Sequence, residues 1–165
     1  NKFIESYSLA KLKSINPNIF ICCDKHRMYI EIIQNSNKDI KEAAVFNETG
    51  IIGQVINNKS FYEVMLLTDT KSSIPLTNSK ENFYCNAFGS GVSGYITCSY
   101  NQLVWSDEHE LGEKFFSSGL GGIYPKGIEI GNLESKQIVD TSTTLLTIKL
   151  ISNPLHSNLF GVIKL

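Results

Sequence analysis

The sequence FFSSGLGGIYPKGIEIGN, which runs from Phe115 to Asn132, contains two turn signals between two predicted strands. The first is a glycine-rich turn at 117–122, and the second is the Tyr-Pro-Lys-Gly sequence at 124–127. Glycine tolerates positive φ angles and close approach of another backbone segment, and proline fixes φ at the second position of a turn. The stretch therefore predicts a tight elbow between two strands. Its structural turn residues are Gly119, Gly121, Gly122, Pro125 and Gly127.

The rest of the chain is mostly short segments with a strand-like pattern. Met28–Ile33 alternates between two faces, and Ile51–Ile56 and Phe61–Thr68 are two further strands separated by a polar turn. Asn18–Cys23, which follows a proline, is predicted as a buried strand, and Leu103–Trp105 as a short one. Many short strands at regular turn spacing indicate β-barrels or a sandwich.

Two cysteines lie in a predicted hairpin. Its strands are Asn82–Phe88 and Tyr95–Tyr100, joined by a glycine-rich connection. If Phe88 pairs with Tyr95, then Cys85 faces Cys98 directly, because the two strands run antiparallel. The Cβ atoms of directly facing residues lie slightly farther apart than the Cβ atoms of a disulfide usually do. The pattern therefore predicts that the sulfurs are neighbours, with a bond possible but not required.

Composition restricts the function classes. The 165 residues are 42% hydrophobic and 19% charged, which is typical of one or two small folded domains. A formal net charge of −1 argues against nucleic-acid binding, because phosphate neutralisation needs a basic face. No apolar run approaches the ~20 residues that a membrane helix requires.

Three residues stand in the order of a serine protease triad, namely His26, Asp69 and Ser118. The serine lies in Ser-Ser-Gly-Leu-Gly-Gly, which is not the Gly-Asp-Ser-Gly setting of such enzymes. His26 lies among charged residues, and we interpret it as a solvated hairpin tip without an oriented catalytic role. The acidic stretch 107–110 is interpreted as a solvated loop and not as a metal site. The sequence thus predicts no catalytic residue, cofactor or metal.

Two segments carry a family resemblance. The first is Ser118–Gly131, and the second is Gly50–Val55 followed downstream by Val64–Asp69. In order and spacing they resemble the two hallmarks of the bacterial rod shape-determining family MreC, and the similarity covers about 15–165. The sequence departs from the family at Glu42-Ala43, where a glycine is usual, so this turn is expected to be built differently.

The resemblance implies an all-β fold of two small β-barrel-like subdomains, the second inserted into the first. The expected boundaries are 1–48 and 111–165 for the first subdomain and 49–110 for the second. It also implies the periplasmic domain of an inner-membrane-anchored protein, in which the anchor and a coiled coil would precede this chain.

The function that the resemblance implies is a non-enzymatic scaffold for side-wall peptidoglycan synthesis in rod-shaped cells. The implied partners are a class B penicillin-binding transpeptidase, MreB, MreD and RodA, and some family members self-associate. Exposed aromatic residues often anchor partners, and the candidate docking residues are Phe83, Tyr84, Phe88 and Trp105. Two alternatives stay open, a chymotrypsin-like double-barrel hydrolase and a peptidoglycan-binding module.

Overall fold

The computed structural model describes residues 7–21, 25–34, 39–58, 61–105 and 108–165. Within these residues the chain forms twelve strands and one helical turn. In chain order they are β1 (Tyr7–Ile15), α1 (Asn18–Ile21), β2 (Arg27–Gln34), β3 (Ala44–Asn47), β4 (Gly50–Asn58), β5 (Tyr62–Leu66), β6 (Ser73–Asn78), β7 (Tyr84–Gly89), β8 (Tyr95–Asn101), β9 (Lys114–Ser117), β10 (Glu129–Ile138), β11 (Thr143–Leu150) and β12 (Leu159–Ile163).

The described strands form two closed barrels of six strands each. The first has the order β1-β12-β3-β4-β5-β2, and the second has the order β10-β11-β8-β7-β6-β9. The second barrel is inserted between β5 and β12 of the first. The predicted all-β fold of two nested barrels is therefore confirmed.

The strand pairing divides the chain at different points from the expected boundaries. β4 and β5, at 50–66, belong to the first barrel, whereas β9, β10 and β11, at 114–150, belong to the second. A boundary after residue 48 would cut the tight β3–β4 hairpin, in which Asn47 pairs with Gly50. Because a hairpin this short forces its two strands to be neighbours, β4 must lie in the same barrel as β3.

Two local predictions are wrong. Within the predicted strand Asn18–Cys23, residues 18–21 form α1, in which Ile19 is buried and Phe20 and Ile21 are exposed. The Asn16 side chain accepts a hydrogen bond from the backbone N–H of Asn18 and so starts a helical turn; Cys22 and Cys23 lie outside the described residues. The predicted strand at 103–105 is a turn, closed by the backbone N–H of Trp105 on Asn101.

Each barrel has its own hydrophobic core. In the first, Met28 and Ile30 point inward from β2, as their predicted common face requires, and pack in one buried cluster with Phe160. In the second, Phe115 from the start of the elbow stretch is completely buried with Leu146. Burying each such side chain contributes roughly 1.5–3 kcal/mol, so the two cores make each barrel a firm platform for its surface loops.

Candidate partner-binding surface

The second barrel has a proximal end, next to the first barrel, and a distal end. The linker 67–72 leads into β6, and its carbonyl groups accept hydrogen bonds from Gly89 and Gly91 at the end of β7. A Cβ at Gly89 would overlap the backbone of Asp69, so only glycine allows this approach. Because neighbouring strands run antiparallel, the connections 79–83, 102–113 and 139–142 all lie at the opposite end, which we call the distal pole.

The elbow forms part of the proximal joint between the barrels. Gly119 has a φ of +81°, and a Cβ there would lie 2.8 Å from the Lys126 Cβ, so both conformation and space favour glycine. Tyr124 is buried and donates a hydrogen bond of 3.2 Å to Gln54 on β4. Next to it, residues of both barrels line an apolar cavity of about 290 Å³. Its apolar lining is Ala44, Phe46, Ile51, Pro125, Ile128, Ile151 and Ile163.

A buried ionic network fixes the linker against the first barrel. One Asp69 carboxylate oxygen accepts hydrogen bonds from the His26 backbone N–H at 2.9 Å and from Arg27 Nε at 2.7 Å. Arg27 Nη1 also contacts Glu63 at 3.1 Å. Burial alone would lower the pKa of Arg27, but Asp69 and Glu63 outweigh it and raise that pKa. The guanidinium therefore stays charged and paired.

His26 is fully buried, so its interpretation as a solvated hairpin tip is wrong. Its Nδ1 lies 2.6 Å from the Thr68 hydroxyl, and burial lowers the pKa of His26 although Asp69 opposes the shift. Asp69 bonds the backbone of His26, not its ring. The Ser118 hydroxyl accepts a hydrogen bond from the Leu120 N–H in its own loop. These contacts do not have the base–carboxylate arrangement of a serine protease.

The first candidate docking residue, Phe83, lies in the core and is only 3% exposed. Its ring centroid lies 5.1 Å from that of Tyr100, 5.5 Å from Trp105 and 4.4 Å from His109. His109 belongs to the stretch interpreted as a solvated loop, but its side chain is 5% exposed and its Nδ1 lies 2.7 Å from a Glu113 carboxylate oxygen. The aromatic cluster thus holds this loop on the barrel. A buried Phe83 offers no side chain to a partner.

The other three aromatic candidates remain at least partly accessible. Tyr84 and Phe88 lie on the outer face of β7 and are 37% and 49% exposed. Trp105 is half-buried, and its ring centroid lies 6.4 Å from that of Tyr84. Tyr84 and Trp105 are neighbours at the distal pole, whereas Phe88 lies towards the proximal end. Their role in docking stays a prediction.

Sequence reasoning missed an aliphatic surface at the same pole. Leu103 and Val104 are 80% and 71% exposed, and Ile138 and Val139 are 63% and 56% exposed. We call these four residues the distal apolar patch. The sequence does carry a signal for this surface, because two pairs of adjacent apolar residues each lie next to a turn. In a regular strand one residue of each pair would point inward, but here both residues of each pair are exposed.

Gln102 ties the two halves of the distal apolar patch together. Its backbone N–H donates to the Ser142 carbonyl at 2.9 Å, and its Nε2 donates to the Thr141 carbonyl at 2.8 Å. Its Oε1 accepts a hydrogen bond of 2.6 Å from the Thr144 hydroxyl. Three bonds from one side chain and its backbone hold the two apolar turns in a fixed relation, so the patch is preorganised.

Comparison with known proteins identifies the family. The sequence profile of the barrel core of the rod shape-determining protein MreC matches residues 23–164. This chain belongs to the MreC family. It is 31% identical over 113 residues to the cell shape-determining protein MreC of Listeria monocytogenes, covering 64% of this chain and 37% of that protein. Over 88 residues it is 30% identical to MreC of Caulobacter vibrioides, covering 53% of this chain and 25% of the relative.

The chain thus spans between a quarter and little more than a third of the curated MreC relatives it matches. Solved MreC structures share its fold. That of Pseudomonas aeruginosa aligns with a TM-score of 0.79 at 21% identity, over 95% of this chain and 98% of the other. An MreC from Helicobacter pylori, solved in complex with the penicillin-binding protein PBP2, aligns with a TM-score of 0.67 at 17% identity, over 96% and 97%. Within its described residues, this MreC-family chain has no helix with the length and apolar character of a membrane span.

Proposed function

We propose that this domain is a non-catalytic scaffold that binds a class B penicillin-binding transpeptidase. Membership of a cell shape-determining family supports this, as does the PBP2 complex of the related Helicobacter pylori protein. In this proposal the domain lies in the periplasm, carried by an inner-membrane anchor outside this chain. It works with MreB, MreD and RodA in side-wall synthesis and can self-associate.

The observation that carries the proposal is the distal apolar patch. Four aliphatic side chains, each more than half exposed, project from turns that Gln102 fixes, next to Tyr84 and Trp105. Adjacent exposed apolar residues of this kind mark interaction sites, and aromatic residues at their side supply anchors. The described strands close into barrels, which favours docking through side chains over addition of a strand to a sheet edge.

The proposed mechanism is a shift in the partner's conformational population. A rigid platform that binds one conformation of a mobile transpeptidase better than another moves the equilibrium towards that conformation. An affinity ratio of ~100-fold corresponds to about 2.7 kcal/mol. The scaffold needs no reactive group for this effect, since the chemistry belongs to its partner.

A binding titration tests the proposal. The chain is titrated with the periplasmic part of a class B transpeptidase, and the double variant Leu103→Ser/Val104→Ser is compared with Ile33→Ser, which removes an equally apolar, 48% exposed side chain from the first barrel. We expect roughly tenfold weaker binding for the double variant, equivalent to about 1.4 kcal/mol, and unchanged binding for the control.

Two results would contradict this function. One is the absence of saturable binding to the transpeptidase by the unmodified chain. The other is equal affinity for transpeptidase variants locked in different conformations, which would remove the population shift. Purified peptidoglycan serves as a parallel ligand. Retention on it without any protein partner, combined with no transpeptidase binding, would favour the wall-binding alternative.

A further inference from the structure

The second barrel contains a disulfide between Cys85 on β7 and Cys98 on β8. Their Cα atoms lie 6.2 Å apart and are separated by 13 positions in sequence. The observed register pairs Ala87 with Cys98, so the direct pairing of Cys85 with Cys98 expected from sequence is wrong. The two cysteines are diagonal neighbours on one sheet face, and the predicted proximity of their sulfurs is confirmed.

The disulfide lies where the β7–β8 ladder ends. Among the described residues, this ladder comprises three pairs, and the last pair towards the distal pole is Ala87 with Cys98. Beyond it, the start of β7 pairs with β6, and the end of β8 pairs with β11. The β7–β8 pairing thus does not extend to residues 84–86 and 99–101, which face each other at this end of the barrel. The disulfide is a covalent link across this part of the barrel.

The two cysteines differ in burial. Cys98 is completely buried in the core of the second barrel, whereas Cys85 is only partly buried at its margin. Tyr84, which contacts Trp105 at the distal pole, directly precedes Cys85. We therefore expect an external reagent to meet Cys85 first, because Cys98 is enclosed by the packed side chains of the core.

We propose that Cys85–Cys98 is a thiol–disulfide exchange site, at which Cys85 is the sulfur that reacts with an external disulfide or dithiol. In the forming direction, the Cys85 thiolate attacks one sulfur of an oxidant's disulfide and releases one oxidant thiolate. The Cys98 thiolate then attacks Cys85 Sγ and releases the second. Two thiols lose two electrons and two protons, and the oxidant's disulfide becomes a dithiol.

The reverse reaction starts at the same sulfur. A thiolate of a dithiol reductant attacks Cys85 Sγ, forms a mixed disulfide there, and releases Cys98 as a thiolate. The reductant's second thiol then frees Cys85. The chemical class of the partner is therefore a protein or small molecule with a reversible dithiol–disulfide pair. Because reduction removes this covalent link, we expect it to loosen the barrel beneath Tyr84 and Trp105.

The test uses single thiols in a chain that also carries Cys22→Ser and Cys23→Ser. In this background, Cys98→Ser leaves only Cys85, and Cys85→Ser leaves only Cys98. Each folded variant is mixed with dithionitrobenzoate, and the released thiolate is followed by absorbance. We expect Cys85 to react roughly tenfold faster or more, because exposure controls thiol exchange. In denaturant the two rates should converge, which is the matched control for intrinsic reactivity.

A second measurement does not depend on the folding of single-cysteine variants. The chain that retains both Cys85 and Cys98 is treated with reduced glutathione, quenched with acid and digested, and the glutathione adduct is located by mass spectrometry. An adduct on the Cys85 peptide supports the proposal. Equal reaction of both thiols in the folded variants, an adduct on Cys98, or two free thiols after oxidising expression would overturn it.

Discussion

The Tyr124 hydroxyl donates a 3.2 Å hydrogen bond to Gln54 Oε1, and this bond joins the elbow of the second barrel to β4 of the first. We expect Tyr124→Phe to lower the free energy of unfolding by about 1 kcal/mol, since the bond is lost and a partly buried amide oxygen is left without its donor. Urea unfolding monitored by circular dichroism measures this. Tyr84→Phe, which alters an exposed ring, is the control with no expected change.

The same tyrosine predicts a loss of stability in alkali. Burial raises the pKa of Tyr124, so the folded protein keeps the phenol protonated where an unfolded chain would ionise. Its contribution is fully present below the unfolded pKa of about 10 and decreases as pH rises above it. We expect unfolding free energies measured above pH 10 to fall less steeply in Tyr124→Phe than in the unmodified chain. Parallel curves for the two proteins would refute this.

His26 predicts the opposite pH dependence, on the acid side. Burial lowers the pKa of His26 below its usual 6.5 although Asp69 opposes the shift. The unfolded chain therefore takes up this proton first, and stability decreases as pH falls below about 6.5 towards the folded pKa, by at most ~1.4 kcal/mol per pH unit. We expect His26→Gln to flatten the unfolding free energy in this window. His156→Gln, at a half-exposed site, is the control.

In the turn at Glu42-Ala43, which is expected to be built differently from the family pattern, Glu42 has a φ of +64°. This is the left-handed region, which favours glycine. A non-glycine residue in this region costs of order 1–3 kcal/mol, and glycine loses roughly 0.5–1 kcal/mol more backbone entropy on folding. We expect Glu42→Gly to raise the free energy of unfolding by about 0.5–1 kcal/mol, as measured in urea.

The control for Glu42→Gly is Glu48→Gly. Glu48 is also exposed, but its φ lies outside the left-handed region. Glycine at position 48 relieves no strain and only increases the backbone entropy that is lost on folding. Glu48→Gly should therefore destabilise the chain by roughly 0.5–1 kcal/mol. If both variants destabilise equally, strain at Glu42 is not relieved by glycine, and the turn is held by other interactions.

The parts of the fold that sequence predicts well are governed by local chemistry. The elbow follows from glycines and one proline within eleven positions, and the strands follow from alternating hydrophobic residues. The pairing of strands that are far apart in sequence is harder to predict from local patterns. The β3–β4 hairpin is local, with Asn47 and Gly50 on either side of its two-residue turn, whereas β12 pairs with β3 across more than a hundred positions of sequence.

The candidate partner-binding residues show the same difference between what local patterns predict and what depends on tertiary packing. Phe83 and Tyr84 are adjacent and both aromatic, so alternation requires one to point inward but does not say which one. The structure settles this with the cluster around Phe83. The charged neighbours of His26 indicate an exposed turn, but the residue is buried because its backbone N–H donates a hydrogen bond to Asp69, which is 43 positions away. The register of the β7–β8 hairpin is a different case, because a shift of two positions leaves every side chain on the same face. Such a shift separates the expected pairing of Cys98 with Cys85 from the observed pairing with Ala87.

The Arg27–Asp69 pair is expected to stabilise the joint between linker and first barrel only as long as both partners are present. Its side chains are 9% and 1% exposed, and Nε and Oδ2 lie 2.7 Å apart. Asp69→Ala leaves the guanidinium buried with Glu63 alone, and we expect a loss of about 3–5 kcal/mol in unfolding free energy. The double variant Arg27→Met/Asp69→Ala removes the unpaired charge and should recover part of that loss.

A double-mutant cycle over Arg27 and Asp69 separates the pair from its surroundings, with the exposed pair Lys114–Glu129 as the control cycle. Exposed pairs contribute little, at most about 1 kcal/mol, so the coupling energy of the control should be much smaller. A coupling energy for Arg27 and Asp69 no larger than that of the control would show that the backbone hydrogen bond from His26 to Asp69, and not the ion pair, holds the linker.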